Sequence, residues 1–173
     1  MKYKLTDETK EYFGRTLHRI VCVTAFANVT AGELGGWIES EKNLDQSGDA
    51  WVYGNAHVYG NALVYGNAHV SGNALVSGNA RVYGDAQVYG NAQVYGNALV
   101  NKTADYIVLK NNWSSGRYFT YTLSNKMWRV GCFYGTGAEL IKKAYTNSEL
   151  SGKCYEAAVR YVETLEKIQA EAK

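Results

Sequence analysis

Two stretches in the C-terminal third of the sequence combine aromatic and basic residues in a way that is suited to ligand binding. They cover residues 113–121 and 128–137. Aromatic rings can stack on a base while arginine contacts a phosphate, and the same residue types are common in protein-binding hot spots. They predict a binding surface for a protein or a nucleotide-type ligand, made by Trp113, Ser115, Arg117, Tyr118, Phe119, Tyr121, Trp128, Arg129, Gly135, Thr136 and Gly137.

Gly135, Thr136 and Gly137 stand directly before a segment with helical spacing that starts at Ala138. The first N–H groups of a helix have no partner within the helix, so they could hold a phosphate. Nucleic acid is a weaker alternative, because the formal net charge of the chain is only +2.

The same stretches also have a purely structural interpretation. Alternation along a strand places Tyr118 and Thr120 on one side and Phe119 and Tyr121 on the other. One of these faces would then form the core of a small domain, and the glycines would simply mark the start of a helix. We expect helices to cover one face and to leave the other exposed, and both interpretations stay open at this point.

Histidine would be the general base of an acyl-transfer site, and the sequence contains His18, His57 and His69. His57 and His69 stand in a repetitive segment, at a position that elsewhere in the repeat holds leucine, arginine or glutamine. No acidic partner has an obvious spacing to either, and no Ser/His/Asp or Cys/His constellation is visible. We therefore predict surface filler at both histidines and a protein without a catalytic site, cofactor or metal centre.

Cysteine usage and hydropathy indicate the compartment. Cys22, Cys132 and Cys154 are odd in number and unclustered, which argues against a disulfide framework and a zinc site. The sequence has neither an apolar run long enough to span a membrane nor the pattern of a secretory signal. We expect a cytoplasmic protein that does not engage a membrane.

The middle of the sequence, which contains His57 and His69, is a regular repeat. From Val52 to Val100 a valine recurs every sixth residue, in the unit Val-Tyr-Gly-Asn-Ala-Xaa. A period of six does not fit an α-helix, where a glycine in every unit would also cost about 1 kcal/mol each. In a three-sided β-helix each unit supplies one short strand and one corner, with valine and alanine inside. The Gly-Asn pair suits the corner, because both residues tolerate positive φ.

This unit resembles the hexapeptide repeat of left-handed β-helix proteins, which have an aliphatic first residue and a small fifth residue. Residues 23–38 and 44–51 also resemble the start of uncharacterised bacterial and phage hexapeptide proteins, many of them labelled putative transferases. The resemblance implies a short left-handed parallel β-helix of about three coils. It also suggests a phage or prophage gene whose product binds a host component, for example as an inhibitor of bacterial defence.

A fold does not carry a function with it, so two alternatives to a binding protein remain. One is a hexapeptide-type acyltransferase, and the other is a structural assembly subunit. Three hexapeptides per coil would stack residues eighteen apart, and tyrosines would dominate the outer surface. Because the core is thin and its ends are open sheet edges, we expect a homo-oligomer, a dimer or trimer, with an oligomer or partner face formed by Tyr53, Tyr59, Tyr65, Tyr83, Tyr89 and Tyr95.

The flanking segments complete a mainly β chain of three parts. Residues 1–43 predict an N-terminal β cap, in which Trp37 could close the open end of the valine core. Residues 44–101 predict the β-helix. Residues 102–173 predict an α+β domain of three strands and two helices, which would carry the recognition surface.

Overall fold

The structure, a computed structural model, describes residues 1–172. The chain divides into two compact units, Met1–Tyr106 and a second unit that begins at Ile107. The first unit contains a parallel β-solenoid, and the second unit is α+β. The predicted fold class, a short β-helix with a C-terminal α+β part, is confirmed.

The first unit opens with an antiparallel sheet. Strand β1 (Tyr3–Tyr12) pairs with β2 (Arg15–Cys22), and β2 pairs with β3 (Leu34–Ile38). Nine two-residue strands follow at six-residue intervals: β4 (Trp51–Val52), β5 (His57–Val58), β6 (Leu63–Val64), β7 (His69–Val70), β8 (Leu75–Val76), β9 (Arg81–Val82), β10 (Gln87–Val88), β11 (Gln93–Val94) and β12 (Leu99–Val100). A short 3₁₀ turn, Thr103–Asp105, ends the solenoid.

The solenoid strands stack in parallel with an eighteen-residue register. His69, for example, lies above Gln87, and Val70 lies above Val88. The repeat valines and alanines are buried, as predicted. The inward valine and alanine of each unit therefore stack on those of the unit eighteen residues away, and together they form a continuous core.

The solenoid begins earlier than the repeat suggests. Strand β3 pairs in parallel with β5, which places Ile38 over Val58, and Leu44 forms a parallel bridge with Val64. The sheet that contains β3, β5, β8 and β11 has four parallel layers. The solenoid thus has about four turns instead of three, and the end of the predicted cap forms most of its first turn.

Glycine and asparagine have different roles at the corners. The repeat glycines adopt positive φ, for example 72° at Gly66. Glycine adopts this conformation without steric cost because it has no Cβ. No repeat asparagine has positive φ, so that part of the expectation is wrong. Instead, Asn61 donates from Nδ2 to Oδ1 of Asn79 at 3.1 Å, and Asn79 donates to Asn97 at 3.2 Å. Asparagine links the turns through a ladder along one corner.

Trp37 does not close the end of the valine core. It lies opposite His57 in the register, at an outward position, whereas Ile38 points inward over Val58. The amine of Lys10 lies 4.2 Å from the centre of the Trp37 ring. The backbone itself approaches the core at Gly36, where a Cβ would lie only 2.6 Å from Cγ1 of Val52.

The second unit is a sheet packed against two helices. The sheet has four strands, one more than predicted, in the order β13 (Tyr106–Lys110), β14 (Tyr118–Thr122), β15 (Met127–Val130) and β16 (Phe133–Gly135). Helices α1 (Gly137–Asn147) and α2 (Glu149–Glu171) follow. Their shared core contains Phe119, Tyr121, Trp128, Val130, Leu140, Ala144, Tyr155, Val159 and Val162.

Candidate binding surfaces

Three of the predicted binding residues belong to the core of the second unit. Phe119 is fully buried with its ring 4.5 Å from that of Tyr155, and Tyr121 and Trp128 are also buried. Their rings are covered by the helices, because α1 and α2 need one apolar sheet face to pack on. These three aromatic side chains therefore belong to the packed core of the second unit.

The opposite face of strand β14 is not open either. Thr120 and Thr122 are buried, and Tyr118 is half-buried beneath the amine of Lys110, which lies 5.3 Å from the ring centre. The expectation that one complete face would be exposed is wrong for the two threonines. The middle of the sheet thus has no open face for a ligand at β14.

Arg117 and Arg129 both reach the turn between β15 and β16. The guanidinium of Arg117 passes close to Gly131, and Nη1 of Arg129 donates to the carbonyl of Cys132 at 3.5 Å. No ion pair joins Arg117 to Glu156 or Glu163 of the last helix within residues 1–172. The structure brings the two arginines to one corner of the sheet, away from the buried aromatic rings.

Trp113 is the exposed one among the aromatic residues of the predicted binding surface. It lies in the loop between β13 and β14, where Oδ1 of Asn111 accepts hydrogen bonds from the N–H groups of Trp113 and Ser114. Ser115 accepts from the N–H of Arg117 in the same loop. The Trp113 side chain is 83% exposed, although its backbone is anchored.

An apolar cleft of about 290 Å³, here called the Trp113 cleft, adjoins this tryptophan. Residues from the loop and from α2 line it: Leu109, Lys110, Asn111, Trp113, Phe119, Cys154, Ala157, Ala158 and Tyr161. Tyr161, on the α2 side, is 52% exposed. The Trp113 cleft thus has an exposed aromatic residue on each wall, Trp113 on the loop side and Tyr161 on the α2 side.

Helix α2 carries a second apolar stripe that sequence analysis missed. Its buried face contains Tyr155, Val159 and Val162. A separate row, in which Leu150, Tyr161 and Ile168 are largely exposed, is formed by Leu150, Cys154, Ala157, Tyr161, Leu165 and Ile168. The alternating three- and four-residue spacing of this row is the signal that could have revealed it.

Thr136 caps helix α1 in the manner of a capping box. Its Oγ1 accepts from the N–H of Glu139, and its own N–H donates to Glu139 Oε2 at 2.8 Å. These hydrogen bonds lower the pKa of Glu139. Gly135 is buried beside the same carboxylate. Sequence analysis placed these residues at a helix start correctly but missed the internal capping carboxylate.

The outward tyrosines lie where the repeat predicts. Tyr65 and Tyr83 are eighteen residues apart, and their rings are stacked with centroids 5.1 Å apart and planes at 6°. Tyr89 is exposed, and the other predicted tyrosines are half-buried: Tyr53, Tyr59, Tyr65, Tyr83 and Tyr95. The solenoid therefore presents partly exposed tyrosines, of which Tyr65 and Tyr83 form a stacked pair.

The two repeat histidines differ in burial. His57 is buried, not on the surface as predicted, and His69 is half-buried with its ring 5.5 Å from Tyr53. Within residues 1–172, no three His, Cys, Asp or Glu side chains group as metal ligands. The helices of the same range include none that is long and apolar enough to cross a membrane.

Comparisons with known proteins bear on the solenoid. Residues 56–72, 68–84, 74–90 and 92–103 match the repeat family described as YdcK Beta solenoid repeat. Over 60 residues the chain is 33% identical to a protein of Escherichia coli (strain K12) named "Uncharacterized acetyltransferase YdcK". This match covers 30% of the chain and 18% of that protein. The chain thus resembles a solenoid repeat protein labelled as a transferase, and it matches less than a fifth of that relative's length.

Proposed function

We propose that the protein is a non-enzymatic binding protein that holds a helical segment of a partner protein on its second unit. The surface consists of the Trp113 cleft and the exposed stripe of α2. The observation that carries the proposal is the 83% exposure of Trp113 beside an apolar cleft. Covering such a side chain would contribute about 4 kcal/mol, and aromatic anchors of this kind dominate binding hot spots.

The shape of the surface favours a helical partner segment. The stripe extends from Leu150 to Ile168, which corresponds to roughly 27 Å of helix. A long, narrow apolar row next to a depression fits a second helix with its own apolar face and one inserted side chain.

Charge favours an acidic border on that partner helix. Lys153, Arg160 and Lys167 follow one another at seven-residue intervals along one side of the stripe. Lys153 and Arg160 are paired with Glu149 and Glu156, but these pairs are exposed and contribute little to stability, so they can exchange. Lys110 adds a positive charge at the cleft.

The narrower part of the proposal concerns origin and partner. The gene would come from a phage, and the partner would be a component of the defence of its bacterial host. They follow from the resemblance of residues 23–38 and 44–51 to phage hexapeptide proteins. A small protein that blocks a host component needs a binding surface and no catalytic group, which agrees with the surface described above.

The test uses the protein purified from its host background and native mass spectrometry of what remains bound. We expect a stoichiometric partner with wild type that is lost with Trp113→Ala and with Tyr161→Ala. Phe13→Ala is the matched control, because Phe13 is 84% exposed but lies in the first unit. A partner that all three variants retain, or a nucleotide in place of a protein, would contradict the proposed surface.

An acyltransferase is the second candidate, and the name of the Escherichia coli relative is the observation in its favour. The test is release of free coenzyme A from acetyl-CoA by the purified protein. Activity that disappears in His69→Ala but persists in Trp113→Ala would favour the enzyme over the binding protein.

We also propose that the protein forms a homo-oligomer through the solenoid face that presents Leu63, Tyr65 and Tyr83. The stacked tyrosines and the half-buried leucine make a flat apolar patch. Light scattering at micromolar concentration should give a dimer or trimer, and Tyr65→Lys should give monomers. A wild-type monomer would contradict this part of the proposal.

A further inference from the structure

A second cleft of the second unit, of about 680 Å³, lies where the start of α1 faces α2 and the hairpin of β14 and β15. Tyr121, Trp128 and Val162 contribute to its walls. Lys126 comes from the hairpin turn, whereas Lys167 and Glu163 come from α2. The cleft thus combines an aromatic and apolar interior with charged groups at its border. We call it the α1 cleft.

The start of helix α1 supplies hydrogen-bond donors to this cleft. The capping box uses the N–H of Glu139, and the N–H of Leu140 donates to the Thr136 carbonyl at 3.0 Å. Within residues 1–172, the N–H groups of Gly137 and Ala138 have no acceptor. Both residues line the cleft. These two donors lie at the positive end of the helix dipole, where anions are favoured.

Trp128 provides an independent donor at the same place. The residue is only 2% exposed, and within residues 1–172 its Nε1–H makes no hydrogen bond, although Nε1 is not among the fully enclosed atoms that lack a partner. Nε1 lies 3.3 Å from the point that a Cβ on Gly137 would occupy. A nearly buried indole N–H is normally hydrogen-bonded. Because Trp128 lines the cleft and its Nε1 is not fully enclosed, a molecule in the cleft can accept from this N–H.

Glycine at position 137 is what allows this approach. A Cβ there would lie 2.7 Å from Cγ1 of Val159, so a larger residue would push the start of α1 away from α2. Close contact between backbone and core keeps the free N–H groups beside the indole.

We propose that the α1 cleft binds the carboxylate of a small ligand that has an apolar body. The carboxylate would accept from Trp128 Nε1 and from the N–H groups of Gly137 and Ala138. The apolar body would lie against Ala138 and Ala170, the exposed apolar residues of the cleft lining, and over the edges of Tyr121 and Val162. This site is separate from the Trp113 cleft, so it does not depend on the partner proposed above.

Charge decides between a carboxylate and a polyphosphate. Lys126 and Lys167 bring two positive charges, and Glu163 and Glu166 bring two negative ones. Glu166 also accepts a hydrogen bond from the Tyr121 hydroxyl at 2.7 Å. The side chains that line the cleft have zero net charge, and the capping carboxylate of Glu139 adds one negative charge beside the helix start, so the cleft suits no more than a single negative charge. Several phosphate charges would be repelled by the glutamates.

The experiment is a titration of the full-length, ¹⁵N-labelled protein with benzoate, benzyl alcohol and inorganic phosphate, followed by NMR. The four tryptophans give separate indole N–H signals, and loss of one signal in Trp128→Phe assigns the one of interest. We expect a saturable shift of the Trp128 indole and of the Gly137 and Ala138 amides with millimolar benzoate. Benzyl alcohol should give at most a tenth of the affinity, because it lacks the charge.

Charge variants complete the test. Lys126→Gln with Lys167→Gln should weaken benzoate binding about tenfold, whereas Lys142→Gln with Lys143→Gln on α1 should leave it unchanged. Thermal midpoints of all variants show whether each one is folded. Equal affinity for benzoate and benzyl alcohol, tighter binding of phosphate, or no saturable shift in wild type would overturn the proposal.

Discussion

The ring of Tyr12 covers the imidazole of His57, with ring centroids 4.4 Å apart and planes at 68°. His57 is only 8% exposed as a result, and neither of its ring nitrogens has a hydrogen-bond partner within residues 1–172. Burial, together with the nearby charge of Lys10, lowers the pKa of His57 to about 4. The side chain is therefore a neutral packing residue at an outward position where other turns of the solenoid have leucine.

The first prediction is that His57→Leu stabilises the protein by about 1–2 kcal/mol, because it removes two buried polar atoms without partners. Leucine already occupies the same repeat position at Leu63 and Leu75. Urea unfolding measures the change. His69→Leu is the control, since His69 is only half-buried, and we expect a smaller effect there. Destabilisation by His57→Leu would show that the imidazole makes an interaction that water or a ligand completes.

The second prediction concerns pH. His57 has a folded-state pKa of about 4 and an ordinary value of 6.5, so the unfolded chain binds the proton more tightly. This group therefore makes the folded state less stable as the pH falls through that window. Between about pH 7 and pH 5 the loss should be about 2 kcal/mol. The difference in unfolding free energy between His57→Leu and wild type should widen by that amount, and parallel pH profiles would contradict the lowered pKa.

The third prediction tests the asparagine ladder. Asn79→Ala removes the hydrogen bonds to Asn61 and to Asn97, so we expect a loss of about 1 kcal/mol in unfolding free energy. Asn73→Ala is the matched control at another corner, where no ladder bond of this kind is found within residues 1–172. Similar losses in both variants would mean that the corner backbone, and not the ladder, accounts for the effect.

The fourth prediction concerns Lys2, whose buried amine stabilises the start of the solenoid. Its Nζ donates to the carbonyl of Ala50 at 2.8 Å and to those of Ser47 and Gly48 at 3.3 Å. Lys2→Met leaves these carbonyls without that donor, so the thermal midpoint should fall by an amount equivalent to about 1–3 kcal/mol. Lys4→Met, at an exposed position of β1, should change little. An unchanged midpoint in Lys2→Met would show that water replaces the amine.

The first turn of the solenoid shows where periodicity stops being informative. Ile38 and Leu44 are six residues apart, as in the repeat, but Leu44 and Val52 are eight apart. The longer corner hides the turn from a search for a fixed period. Only pairing of β3 with β5 and of Leu44 with Val64 shows that these residues stack on the repeat.

The repeat by itself determined the solenoid, its inward valines and alanines and its eighteen-residue stacking. The physical reason is that an unvarying six-residue unit buries its valine and its alanine in the same way in every turn. The candidate sites depended on tertiary structure. Alternation in β14 separates Phe119 from Thr120 but does not say which face the helices cover, and both residues are buried. Likewise, two apolar rows on α2 can be read from spacing, yet only the packing of that helix on the sheet decides that Tyr155 is core and Tyr161 is exposed.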